Sequence, residues 1–337
     1  MAEERMPRAS VTAPIVESEE RRTEAAIQPP GDELAEAQLK PTSPLRLAVR
    51  RFARNKLAVI SLVVLIVLLL ATTLARFLPL IDPTAADASN TDAFPGGFGA
   101  PHLLGTDGNG HDILSAMIYG LRPAFIVGIT GTVINTILGV AIGVTAGYFG
   151  GWVDTILGRF TDLIFDMPLL LIALLCEALF TASGSPVAAL LGDQARIIVM
   201  IVAFALFGWP PLMRFVRGLT LQYKEMQFVE AARSMGVGNR AIIMRHILPN
   251  TWGLLLVQAT FLVAGFIYNE VVLSVLGFGV QVPTPDLGYM ADQALGNLDI
   301  NWIESVAPSA LLTILIVAFA FLGDGLRDAF DPQTKES

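Results

Sequence analysis

The sequence predicts an all-α polytopic membrane protein that crosses the bilayer six times, with its N- and C-termini in the cytoplasm. Three observations carry this. Of 337 residues, 53% are apolar and only 15% charged, where a soluble domain carries about 25% charged residues. Apolar runs follow one another, each near the roughly 20 residues that span the hydrocarbon core as a helix. Lys and Arg are concentrated in some of the intervening segments and absent from others, which sets sidedness. The formal charge of −8 decides little, because position matters more than sum. Cys176 is the single cysteine, so an intramolecular disulfide and a Cys-rich metal site are excluded. Lying in an apolar run, it reads as a buried structural thiol.

Taken in order, residues 1–45 hold five Lys/Arg against nine Asp/Glu with no apolar period, and are expected to be a disordered acidic cytoplasmic tail. No signal peptide is expected, because the first apolar run begins near Leu57 and is too long for one. Arg46, Arg50, Arg51, Arg54 and Lys56 precede segment one, residues 57–80. The loop 81–120 is rich in aspartate and lacks Lys and Arg; within it Asp107 and Asp112 are expected to cap short helices. Segment two, residues 122–148, carries glycines at 128, 131, 139, 143 and 147, small faces that let helices pack closely in lipid. A loop with Arg159 and three aspartates leads into segment three, residues 163–180, and the loop 181–194 into segment four, residues 195–215, interrupted by Pro210-Pro211. A basic island, residues 217–250, precedes segment five, 251–276. A Pro/Gly-rich loop without Lys or Arg precedes segment six, 304–322, and a tail follows at 333–337. The basic flank and island belong inside and the two loops without Lys/Arg outside, which six crossings reconcile.

The island reads as a helical hairpin. Residues 225–235 are good helix formers, Gly236 supplies a left-handed terminating residue, Asn239 is expected to N-cap a second turn, and Pro249 to mark the start of the next segment. Two adjacent alanines, Ala231 and Ala232, would let another surface approach closely.

Placed between segments four and five, Glu230-Ala231-Ala232, Gly236 and Leu248-Pro249 resemble the EAA loop of ABC importer permeases. His102-Leu103-Leu104-Gly105-Thr106-Asp107 with Gly110-His111-Asp112 and Ser115 is similar to the extracytoplasmic motif of dipeptide and oligopeptide permeases. Gly147-Tyr148-Phe149-Gly150-Gly151 with Asp154, Arg159, Asp162 and Pro168 is similar to that family's first cytoplasmic turn. Leu276-Gly277-Phe278-Gly279, Pro283-Thr284-Pro285 and Gly323-Asp324-Gly325-Leu326-Arg327-Asp328 extend the match over roughly residues 45–332. The ordered set resembles the C-type permease of the dipeptide/oligopeptide/nickel transport family (DppC/OppC type). The chain departs from the family pattern at His111, Ala116, Leu287 and Asn269, which bears on substrate more than on class.

The resemblance implies a type I ABC importer permease fold over residues 46–332, in the cell membrane of a prokaryote. It implies a heterodimer with a second permease subunit, two ABC ATPase subunits that bind ATP and Mg, and an extracytoplasmic substrate-binding protein. Nucleic acid is not an expected partner. The substrate implied is a short peptide; the same family also carries nickel and other small solutes. Glu230, Ala231, Ala232, Gly236, Leu248 and Pro249 are the residues implied to couple to the ATPases.

The residues themselves limit the chemistry. No Gly-x-x-x-x-Gly-Lys-Ser/Thr occurs, so the chain is not expected to be an enzyme or to bind nucleotide itself. Ionisable groups at membrane depth are functional candidates by default; Glu177, Asn269 and Glu270 are therefore candidates for the translocation pathway, with interfacial placement or structural pairing as the alternative. His102 and His111 with Asp107 and Asp112 match no common metal-ligand spacing, and no metal site is expected. An ion-coupled secondary transporter would need carboxylates or broken helices near mid-membrane, whereas the acids here are few and off-centre.

Overall fold

The computed structural model describes residues 44–96, 102–280 and 284–330. The chain divides into a segment up to Leu47 and a body from Ala48 onward, and the body is a helical bundle with no strand among the described residues. Five helical stretches are long and apolar enough to cross a membrane, and the count is six when a pair of helices bent by 70° is taken as one span.

Helix α1 (Pro44–Arg54) leads to α2 (Lys56–Thr73), which Asn55 caps by accepting a hydrogen bond from the Ala58 N–H. Segment one is thus shorter than expected from its hydropathy: the apolar residues after Thr73 lie in a single tight turn, Ala75–Phe77, and then extended chain. Helix α3 (Ile113–Phe149) begins well before Arg122, because Asp112 accepts a hydrogen bond from the Ser115 N–H at 2.8 Å and starts the helix there. At 37 residues it is about 55 Å long, well beyond the roughly 30 Å of hydrocarbon, so it reaches past the bilayer core.

Segment three is two helices, α4 (Gly151–Phe165) and α5 (Leu169–Phe180), parted at Asp166–Pro168. The stretch expected as a loop after Gly150 is therefore helical; Pro168, which restricts the residue before it, separates the two pieces. A short α6 (Pro186–Leu191) precedes α7 (Ala195–Phe207) and α8 (Pro210–Lys224), which break at Gly208-Trp209. Helix α8 carries segment four nine residues beyond Phe215, so the first part of the basic island belongs to a spanning helix. The hairpin helices α9 (Gln227–Ser234) and α10 (Asn239–Ile242) follow. Helices α11 (Leu248–Val275), α12 (Leu287–Gln293) and α13 (Trp302–Phe330) complete the body. Segment six is accordingly longer at both ends than the apolar run alone suggested.

Helix α3 is the axis on which α8, α11, α7 and α2 pack. Its glycines divide into two faces. Gly128 and Gly131 lie against Ile267 and Phe266 of α11, while Gly139, Gly143 and Gly147 lie against Leu212, Val216 and Thr220 of α8. A Cβ at Gly143 would sit 2.6 Å from the Met213 carbonyl oxygen, so only glycine permits this approach. One part of the core joins Leu121 and Phe125 of α3 to Ile267 of α11 and Leu315 and Phe319 of α13.

The break between α7 and α8 is closed by side chains. Pro210 has no N–H to give to the carbonyl of Leu206, and Trp209 Nε1 donates to that carbonyl instead at 2.9 Å. Asn135 Nδ2, buried in α3, donates to the carbonyls of Gly131 (2.8 Å) and Phe204 (3.0 Å). Only the Trp209 bond replaces a missing backbone donor; the Phe204 carbonyl already accepts the Gly208 N–H at 2.8 Å, and Asn135 adds a tie between α3 and the end of α7.

Candidate functional site

The hairpin is built to hold one shape. Helix α9 ends at Met235, after which Gly236 adopts φ +79°, a conformation that disfavours any side chain. The Val237 N–H then donates to the Ala232 carbonyl at 3.1 Å and the Gly236 N–H to the Arg233 carbonyl at 3.0 Å. Those two bonds are a Schellman closure, which satisfies carbonyls a helix end otherwise leaves open. Beneath it, Val229, Ala232, Ile242 and Ile247 pack with Tyr148 from the end of α3 into a small apolar core.

Three ties join this unit to the spanning helices. Tyr148 donates its hydroxyl hydrogen bond to Asn239 Oδ1 at 2.9 Å. Tyr223, near the end of α8, donates to the Asn250 carbonyl at 3.3 Å. The chain from α10 runs without a gap through a π-helical turn, Ile243–Ile247, into α11, with the Leu248 N–H reaching back to the Ile243 carbonyl. The hairpin is thus continuous with α11 and tied to both α3 and α8.

The predicted residues separate on this framework. Glu230 and Ala231 are exposed, whereas Ala232 is only 1% exposed and faces the hairpin's own core. The expectation that both alanines form a contact surface is corrected: successive helical residues point about 100° apart, and only Ala231 faces out. Phe228 and Met235, three residues before and four after Ala231, are exposed as well, Met235 at 77%, and extend an apolar stripe along α9. Asn239 does not N-cap α10. Gly238 holds that position without a side-chain cap, and Asn239 instead receives Tyr148. Leu248 is half-buried and Pro249 exposed. Pro249 lies in the first turn of α11, where a missing N–H is harmless, at the start of the segment as expected.

Above the hairpin, α8 is locked to α4 by paired charges that sequence reading did not single out. Arg217 donates from Nε and Nη2 to the two oxygens of Asp154 at 2.5 and 2.6 Å, a bidentate pair. Arg214 donates to Asp162 at 2.7 Å and lies 3.9 Å over the Phe165 ring. The signal was present: Asp154 and Asp162 are two helical turns apart and Arg214 and Arg217 nearly one, so each pair shares a face.

The pathway candidates lie apart from the hairpin. Glu177 of α5 is fully buried, and neither carboxylate oxygen has a hydrogen-bond partner among the described residues. Glu270 of α11 is 2% exposed and stands against Asp286. Asn269 turns to its own helix, donating to the Gly265 carbonyl at 2.8 Å. Both glutamates thus face packed interior within this chain. In the loop before α3 His102 Nδ1 meets Asp112 at 3.0 Å and His111 Nδ1 meets Asp107 at 2.9 Å. Asp112 also caps α3; Asp107 instead closes a turn by accepting from the Asn109 and His111 N–H groups. No group of three or more His, Cys, Asp and Glu among the described residues is arranged to hold a metal ion.

A family model described as the binding-protein-dependent transport system inner membrane component matches residues 139–336. A second, the N-terminal TM domain of oligopeptide transport permease C, matches residues 43–95. The chain is 36% identical over 290 residues to the oligopeptide transport system permease protein OppC of Mycobacterium tuberculosis, covering 86% of this chain and 94% of that one. It is 34% identical over 309 residues to OppC of Haemophilus influenzae (92% and 95% covered). With the dipeptide transport system permease protein DppC of Bacillus subtilis it shares 34% over 289 residues (86% and 85% covered). Among solved structures, a chain of the MetNI methionine ABC transporter in an inward-facing conformation aligns with a TM-score of 0.50 at 18% identity. That alignment covers 64% of this chain and 97% of the other, a likeness of fold. On these matches the chain belongs to the family of binding-protein-dependent transport system inner membrane components, with permeases of the OppC and DppC type as relatives.

Proposed function

We propose that this chain is one of two permease subunits that together line the pathway of an ABC importer for peptides. Separate ATPase subunits carrying ATP and Mg power it, and an extracytoplasmic binding protein supplies substrate. The observation that carries the coupling half is the closed, core-bearing hairpin α9–α10, which leaves Glu230, Ala231 and Met235 exposed along α9, with Phe228 beside His246. The printed names of the relatives, oligopeptide and dipeptide permeases, support the peptide half.

In this reading the ATPase subunits grip α9, and nucleotide-driven closure of the two ATPases moves the hairpin as a rigid body. The displacement passes along α8, which the Asp154–Arg217 and Asp162–Arg214 pairs hold to α4, and along α11 without a break. Such transmission requires elements with discrete packings rather than flexible linkers. The absence of Lys and Arg from residues 81–121 and 277–326 supports placing those loops outside and the hairpin and both termini in the cytoplasm.

The test is transport by the reconstituted complex. Glu230→Lys and Gly236→Val are expected to leave the chain inserted and assembled while ATP hydrolysis no longer drives peptide uptake. Normal uptake by a Gly236→Val complex overturns the coupling role of the hairpin.

A further inference from the structure

Helix α4 carries two unlike faces. Leu157 and Ile164 turn inward and pack with Trp209 and Met213 at the start of α8. Trp152, Ile156, Phe160 and Leu163 turn outward and are exposed, Trp152 at 75%. Their spacing of three and four residues sets them along one side of the helix. Trp152 stands in the first turn, and tryptophan is enriched where a spanning helix meets the boundary of lipid and water. That turn follows directly on Tyr148, which is bonded to Asn239, so it lies at the hairpin end of the bundle.

Beside that apolar face a cleft of about 460 Å³ opens between α4 and α8. Its charged lining is Arg159, Arg214 and Arg217 against Asp154 and Asp162, one cation in excess. Asp154 is taken by Arg217 and Asp162 by Arg214. Arg159 is exposed and makes no hydrogen bond or ion pair among the described residues. It follows Ile156 by three residues and precedes Phe160, at the edge where the apolar face meets the cleft. Helical side chains lean towards the N-terminus of their helix, which directs Arg159 towards Thr155 and the hairpin end, so its charged head can leave the hydrocarbon. Arg214 uses Nη2 on Asp162, and Arg217 uses Nε and Nη2 on Asp154, so both keep N–H groups for a further acceptor. Guanidinium forks match the oxygens of a phosphate. A phosphodiester carries a single negative charge, equal to the excess, and the apolar face alongside offers a bed for acyl chains that a soluble anion lacks.

We propose that this cleft seats the phosphate of a phospholipid headgroup, with Arg159 as its principal donor and the acyl chains along Ile156, Phe160 and Leu163. A lipid bound there bridges α4 and α8, the two helices that the Asp154–Arg217 and Asp162–Arg214 pairs already join. The site depends on the chain lying in a membrane and not on its cargo or on the importer role.

The site is tested on the purified full complex in non-ionic detergent, washed until no lipid phosphorus remains. Thermal unfolding is followed during titration with dihexanoyl phosphatidylglycerol. Sodium phosphate and dihexanoylglycerol, which has the chains but no phosphate, serve as controls. The phospholipid alone is expected to raise the midpoint saturably, as a ligand of the folded state does. The shift is expected to vanish in Arg159→Gln. It is also expected to vanish in Thr155→Glu, whose carboxylate one helical turn away occupies the guanidinium. Both positions are exposed, so both variants are expected to fold with the unliganded midpoint of the wild type. The shift is expected to persist in Arg240→Gln, an exposed arginine on the hairpin. An absent shift, an equal shift with dihexanoylglycerol, a shift undiminished in either cleft variant, or its loss in Arg240→Gln overturns the site. An equal shift with sodium phosphate overturns the lipid as its occupant.

Discussion

Tyr148 and Asn239, 91 positions apart in the chain, meet through a 2.9 Å hydrogen bond that joins the last turn of the central helix α3 to the hairpin. The Tyr148 ring also seals the hairpin core beside Val229 and Ile247. Tyr148→Phe keeps the ring and removes the bond, a loss of about 1 kcal/mol. The expected result is a nearly unchanged melting point with reduced uptake per ATP hydrolysed, read by paired ATPase and transport assays. Tyr148→Ala is expected to lower stability as well, because it opens the apolar core.

Ala231 and Ala232 are neighbours with opposite surroundings. Ala232→Glu drives a carboxylate into a closed apolar core and is expected to destabilise the hairpin by about 3 kcal/mol or more. Limited proteolysis around residues 226–245 reads this as faster cleavage. Ala231→Glu points outward, so protection is retained while binding of the ATPase subunits falls. Equal protease sensitivity of the two variants contradicts the burial assigned to Ala232.

The Asp154–Arg217 pair is part-exposed, and solvent screening limits its worth to about 1 kcal/mol. Either Asp154→Ala or Arg217→Ala is expected to lower the thermal midpoint modestly. The exchanged double variant, Asp154→Arg with Arg217→Asp, is expected to recover part of the loss. A double-mutant cycle measures the coupling, and a value near zero removes the pair as a clamp between α4 and α8.

Asp87 organises the loop before α3 by accepting the Ser89 hydroxyl, the Asn90 amide and the Ser89 N–H. These bonds, the Ser89 hydroxyl foremost, lower its pKa from the ordinary 3.8 to about 2. A depressed carboxyl stabilises the loop fully above 3.8 and loses that contribution as pH falls towards 2. Hydrogen exchange over residues 84–92 is therefore expected to stay slow down to pH 4 and to quicken between pH 4 and 2. Ser89→Ala removes the largest cause and is expected to move the transition to higher pH.

The sequence by itself determined the class and the place of the hairpin just before the long apolar helix α11. Hydropathy and the distribution of Lys and Arg are properties of composition along the chain, and a bilayer reads them directly. Gly236 was also legible, because the conformation after α9 suits one residue type; Asp112 was legible as a helix cap, but of the long α3 and not of a short helix within the loop. Only the tertiary structure decided what depends on neighbours far away in sequence. The Gly208-Trp209 break became a bend at which Trp209 answers the carbonyl that Pro210 leaves open. Ala232 turned inward while Ala231 stayed out, and Asn239 was taken from capping by Tyr148. Asp286, one of several loop acids in the sequence, became a buried acceptor for the Ser274 hydroxyl and the Tyr289 N–H only when α11, α12 and α13 closed around it. Periodicity names the face a residue lies on; packing decides what that face meets.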